Sequence, residues 1–139
     1  MSSRIGQLWR SISGLPTWVK IWLMILATTN MSSFAFLDTE TGFWTAIAFV
    51  IVGMLNMPTM FLQGGLTRLL SIPHFVWVPL LIYLYPRLIG PHAIAQSSSE
   101  YLFALSVFVV NGISLMFDVL ESYRWLIGRR EVLGLHNAQ

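Results

Sequence analysis

Four apolar runs, at residues 18–37, 43–62, 72–88 and 101–120, each approach the roughly 20 residues that an α-helix needs to cross a hydrocarbon core. No other feature limits the fold so strongly. In lipid every backbone N–H and C=O needs a partner inside the protein, so spanning segments are helices or closed barrels. The runs lack the alternating polarity of barrel strands. Composition agrees: 55% of residues are hydrophobic and only 10% charged, against about a quarter charged in a soluble domain. The expected fold class is all-α, a four-transmembrane-helix bundle over residues 17–128. An interfacial segment at 1–16 precedes it and a tail at 129–139 follows.

An even number of spans puts both termini and the loop near residues 63–70 on one side. That side carries Arg4, Arg10, Lys20, Arg68, Arg124, Arg129 and Arg130, seven of the eight basic residues, and Arg87 alone lies opposite. The positive-inside rule then places both termini in the cytoplasm. Arg4, Arg10 and Lys20 before an apolar run, with Ser33-Phe34-Ala35 as a small-x-small site, also fit a signal peptide. The length of the run and Asn30 within it favour a retained span.

Before that span, Ile5, Leu8, Trp9 and Ile12 recur at helical spacing, and Gly14 and Pro16 follow as stop signals. This predicts a short helix lying in the interface. Trp9, Trp18 and Trp22 are its expected membrane anchors. Ser71 and Pro73 predict a helix start for span three, and Pro58, Pro79 and Pro86 predict interruptions or ends.

The last run is the puzzle, because it carries Asn111, Ser114, Asp118, Glu121, Ser122 and Trp125. At about 100° per residue these fall within about 100° of arc, a stripe that should face protein or water. Asn111, with Asn30 and Asn56, forms a candidate polar layer near the membrane midplane. Interhelical hydrogen bonding explains such a layer more readily than a solute path does. Asp118 and Glu121 sit about 10 Å further along, level with His74 at the start of span three, with Arg68 and Arg124 near.

Three readings of this second level stand side by side. Arg124 pairs with Glu121 or Asp118 while His74 caps a helix; or the two carboxylates form the acidic mouth of a cation pathway; or His74, Asp118 and Glu121 bind a divalent metal. Met54, Met57 and Met60 spiral around their helix and read as packing rather than copper ligands. His74 is the one histidine at membrane depth, too few for haem ligation within a monomer. No cofactor is expected. The chain has no cysteine, which removes disulfides and thiol chemistry, and it has no nucleophile, P-loop or zinc-helix motif, so an enzyme is not expected. Its basic residues sit where topology explains them and do not suggest nucleic acid.

The stretch at residues 65–79 resembles small bacterial membrane proteins, which implies an inner-membrane location and no functional residue. Two functions remain as expectations. One is an oligomeric channel or transport protein with a vestibule lined by Asp118 and Glu121, His74 beside them, and Asn111 and Ser114 deeper in the pathway. The other is a non-catalytic accessory or scaffold subunit. Beyond the lipid bilayer, the expected partner is a second copy or another membrane protein, because four short helices leave the stripe needing cover.

Overall fold

The computed structural model describes residues 3–135. Helix α1 covers Arg4–Ser13, α2 Thr17–Met31, α3 Glu40–Gln63, α4 Trp77–Ile89 and α5 Ser99–Leu126. Two 3-10 stretches extend them: Ser32–Phe36 continues α2, and Arg68–Val76 leads into α4. All regular structure among the described residues is helical. Four segments, Thr17–Phe36, Glu40–Gln63, Arg68–Ile89 and Ser99–Leu126, are long and apolar enough to cross a membrane, which makes the chain compatible with a membrane protein.

Local chemistry sets most helix ends. Ser3, Thr39 and Ser98 each accept a backbone N–H three residues on, from Gly6, Gly42 and Tyr101. Each thereby satisfies one of the donors a helix start leaves free. Gly64 ends α3 with φ 74°, a left-handed cap favouring glycine.

Span three departs from expectation. Its helical winding begins at Arg68, and Ser71 lies buried inside the 3-10 stretch rather than capping an α-helix. Pro73 removes a donor within these turns. Pro79 falls in the first turn of α4, where a missing N–H costs little, and α4 continues past Pro86 to Ile89. Likewise α3 runs unbroken through Pro58.

Helix α5 is the central element: α2, α4 and both 3-10 stretches pack against it. Its buried residues are Phe103, Ala104, Val107, Asn111, Ser114, Asp118 and Ser122, steps of three or four that keep one face inward for the whole helix. With Trp77, Leu80, Leu84 and Leu88 from α4, and Leu26, Ala48 and Val52, the first three make the apolar core. Helix α3 presents Thr41, Gly42, Thr45, Ala46, Ala48 and Val52 inward, and these small side chains allow close approach. At Gly42 a Cβ would overlap the Phe36 carbonyl, so only glycine fits that crossing.

Beyond the bundle, the tail folds back. Leu133 N–H donates to the Leu66 carbonyl at 2.7 Å. Ser11 of α1, fully buried, donates its hydroxyl to the Leu133 carbonyl at 2.7 Å and accepts Leu66 N–H at 3.0 Å. Gly14 and Gly134 meet so closely that a Cβ on either would collide with backbone. The segment at 129–135 is therefore a strap holding α1 to the loop after α3, and not a free tail. Residues 136–139 lie outside the described part.

Candidate functional site

The polar half of the α5 seam divides into three clusters, each with its principal pairings inside the chain. In the deepest, Asn30 and Asn111 exchange side-chain hydrogen bonds at 2.8 and 3.0 Å with neither exposed, and Asn30 also donates to the Leu26 carbonyl at 2.9 Å. The two amides satisfy each other face to face.

Asn56 does not join that layer, a correction to the sequence reading. Its Nδ2 donates to the Leu70 carbonyl at 3.1 Å and lies 3.3 Å from His74 Nε2. The 3-10 stretch brings His74 across to α3, level with Asp118, about two turns along α5 from the Asn30–Asn111 pair. His74 Nδ1 is 3.0 Å from Asp118 Oδ1, and Ser114 donates to Asp118 Oδ2 at 3.3 Å. The imidazole stacks on Trp77, centroids 4.4 Å apart and planes within 9°. Hydrogen bonds thus run Asn56, His74, Asp118, Ser114 across α3, the 3-10 stretch and α5.

The amide orientation assigns the imidazole tautomer. Because Nδ2 of Asn56 faces both the Leu70 carbonyl and His74 Nε2, that ring nitrogen accepts. Nδ1 therefore carries the proton and donates to Asp118.

The third cluster is ionic. Arg68 Nε lies 2.7 Å from Glu121 Oε2, Arg124 pairs with Glu121 Oε1 at 2.6 Å, and Arg68 also reaches Glu131 and, at 3.4 Å, the Arg129 carbonyl. Both expected partners of Arg124 were carboxylates of α5, and it takes Glu121. The Glu131 carboxyl is held below the usual carboxylate range, first by its own backbone N–H and then by Arg68.

These partnerships correct the metal reading. Two guanidiniums hold Glu121 away from the His74–Asp118 pair, and among the described residues no three His, Asp or Glu side chains gather for a metal. Much of the stripe is paired inside the chain. Trp125, the last member of the stripe, instead lies under the Arg130 guanidinium, 5.3 Å from the ring centroid.

The proposed anchors point outward. Trp9 and Trp18 are 70% and 64% exposed, beside exposed Ile5 and Ile12, while Trp22 meets Phe117 edge-on at 6.3 Å. On α1 the apolar face is thus turned away from the bundle, and Ser11 on the opposite side ties the helix to it.

Sequence reasoning missed a lock at the far end. Arg87 and Tyr83 of α4 both reach Glu40 of α3, at 3.1 and 3.0 Å, and Thr41 donates to Glu100 of α5 at 2.8 Å. It also missed a groove of about 350 Å³ between α2 and α5, lined by Thr28, Thr29, Ser32, Ser99 and Ser106 with Leu102 and phenylalanines. Thr28, Thr29 and Ser32 cluster within five residues, and Ser99 and Ser106 stand two turns apart on α5, a signal visible in the sequence but overshadowed by the charged stripe. The chain matches no protein-family model, no curated protein and no solved structure.

Proposed function

We propose that the protein is a non-catalytic accessory or scaffold subunit of a membrane complex, inserted with both termini in the cytoplasm, in a bacterial inner membrane. The orientation rests on the seven basic residues at the terminal end against Arg87 at the other. The observation that carries the functional reading is where polar groups lie. The charged stripe is consumed inside the bundle, whereas the hydroxyls of the α2–α5 groove face outward at membrane depth.

Helices in lipid gain nothing from hiding apolar surface from one another, so small and hydroxyl-bearing faces are where they associate. Ser32 and Ser106 donate to carbonyls of their own helices, at 2.8 and 2.7 Å, which leaves their lone pairs free for a partner. A helix of another membrane protein, or of a second copy, fits this surface.

The native chain has no cysteine, so single cysteines report on the groove cleanly. Ser106→Cys should cross-link to a partner in native membranes, while Ile82→Cys on α4, 69% exposed, should not. Equal cross-linking at both positions, or at neither, would overturn the docking surface.

The second reading, a channel or transporter, is favoured by one observation, the ionisable His74–Asp118 pair at membrane depth. Against it, Val107, Ala104 and Leu84 close the seam beyond Asn111 without any exposed surface. Purified protein in liposomes should pass no ions. Flux that Asp118→Asn together with Glu121→Gln alters would replace the scaffold reading with the channel.

A further inference from the structure

We propose that His74 and Asp118 form a proton-binding centre, reached by internal water from the terminal end alone, in which the Asn56 amide turns over when His74 takes up a proton. The inference needs the bundle's geometry and not the scaffold reading; its sidedness needs only insertion in a bilayer.

Four buried polar atoms have no hydrogen-bond partner among the described residues: Asn56 Oδ1 and Trp77 Nε1 on residues against His74, and Ser122 Oγ and Thr67 Oγ1 further along the elements that carry Asp118 and His74. Thr67, Ser122 and Trp77 are 3, 8 and 2% exposed. Trp77 stacks on His74, Ser122 is one helical turn beyond Asp118, and Thr67 opens the 3-10 stretch that carries His74. The set mixes an acceptor, a donor and two hydroxyls, and water is the ligand that serves all three kinds. Buried polar groups in native proteins are rarely left without any partner.

His74 and Asp118 are 16% and 9% exposed, and the unpartnered hydroxyls lie to one side of them. Thr67 and Ser122 lead toward the terminal end, where Arg68, Glu121 and Glu131 meet solvent. In the other direction the mutually satisfied Asn30–Asn111 pair comes first, followed by Val107, Ala104 and Leu84, all apolar and fully buried. The buried hydroxyls of Ser33, Thr41 and Thr45 on the far side each donate within the protein, to the Asn30 carbonyl, Glu100 and the Thr41 carbonyl.

The switch follows from the hydrogen bonds. In the neutral form Asn56 Nδ2 donates toward Nε2, and Asn56 Oδ1 is unpartnered. A proton delivered by water to Nε2 makes that nitrogen a donor facing a donor. Turning the amide by half a revolution brings Oδ1 round to accept it. The same turn withdraws Nδ2 from the Leu70 carbonyl, so the 3-10 stretch loses a tie to α3. The charged group against the imidazole is Asp118 of α5; Glu121, one turn on, is paired with Arg68 and Arg124, and α3 and α4 face the ring with the uncharged Asn56 and Trp77.

Nitrogen NMR of full-length protein carrying labelled histidine, with His92 and His136 replaced by glutamine, observes His74 alone. In the neutral form the signals should be those of the tautomer protonated at Nδ1. In oriented proteoliposomes, acid on the terminal side should convert them to imidazolium, whereas acid on the far side should not. Trp77 indole N–H should receive magnetisation from water. In Asn56→Leu the Nδ1 proton should stay on the Asp118 side, while Nε2 should lose the hydrogen-bond shift that the Asn56 amide gives it; if that variant does not fold, the wild-type measurements decide alone. A neutral tautomer protonated at Nε2, an equal response from both faces, an imidazole neutral at the lowest pH the fold survives, or a Trp77 indole dry throughout would each overturn the proposal.

Discussion

The two halves of the α5 seam share one helix face and nearly opposite chemistry. From Phe103 to Val107 the buried side chains are apolar and closely packed on Leu80, Leu84 and Leu88. From Asn111 to Ser122 every buried side chain is polar, and its neighbours are chosen by donor and acceptor: Asn30 for Asn111, His74 for Asp118. In a bilayer the apolar half is held by shape, since lipid chains are as apolar as leucine, whereas the polar half is held by direction. The first half can slide or rotate slightly with little loss. The second fixes which helix lies where.

The largest effect should come from damaging the shape-held half. Leu84 is fully buried between α4 and α5. Leu84→Ala leaves a cavity that closely packed neighbours fill only in part, and should cost about 2 kcal/mol even without a water-transfer contribution. Unfolding titrations in mixed micelles measure it. A negligible cost would mean that the apolar half is looser than its burial implies.

Next comes the direction-held half. Asn111→Leu strands the Asn30 amide with a single carbonyl partner, a loss of about 1–2 kcal/mol. Replacing both asparagines by leucine removes the stranded group as well, so the double variant should be more stable than the sum of the singles predicts, with coupling of about 1 kcal/mol. Strict additivity would show that the amides do not depend on each other and would dissolve the contrast between the halves.

How much of this was legible in the sequence follows the same division. Run lengths and the spacing on α5 gave the helices and their inward face, because both depend on local geometry. The pairing of Asn30 with Asn111 was legible as a shared depth. Asn56 was misassigned because depth along a straight helix says nothing about a 3-10 stretch, whose longer rise per residue carries His74 across to α3. The strap was invisible for a different reason: Ser11 and Leu133 are joined through backbone groups, which no residue type advertises. The stripe's need for cover was real, and Asn30, His74, Arg68 and Arg124 supply part of that cover within the chain.

The smallest effect lies at the ionic fringe of the polar half, where the strap meets Arg68. Glu131 is depressed from an ordinary 4.5 when folded, its own N–H and Arg68 both favouring the carboxylate. A depressed folded value contributes stability that is fully present above the unfolded value and is lost as pH falls through the folded one. The strap should therefore stay seated above about pH 4.5 and loosen below it. A nitroxide attached at Leu135→Cys, the only thiol in the chain, would report this as sharper lines on acidification. Glu131→Gln should give mobile spectra with little pH dependence, while the Asn30–Asn111 pair, holding no titratable group, should keep its coupling unchanged over the same range. A label equally rigid at all pH values would show that Ser11 and the Leu133–Leu66 backbone bond hold the strap unaided, and that the directional half of the molecule ends at Glu121.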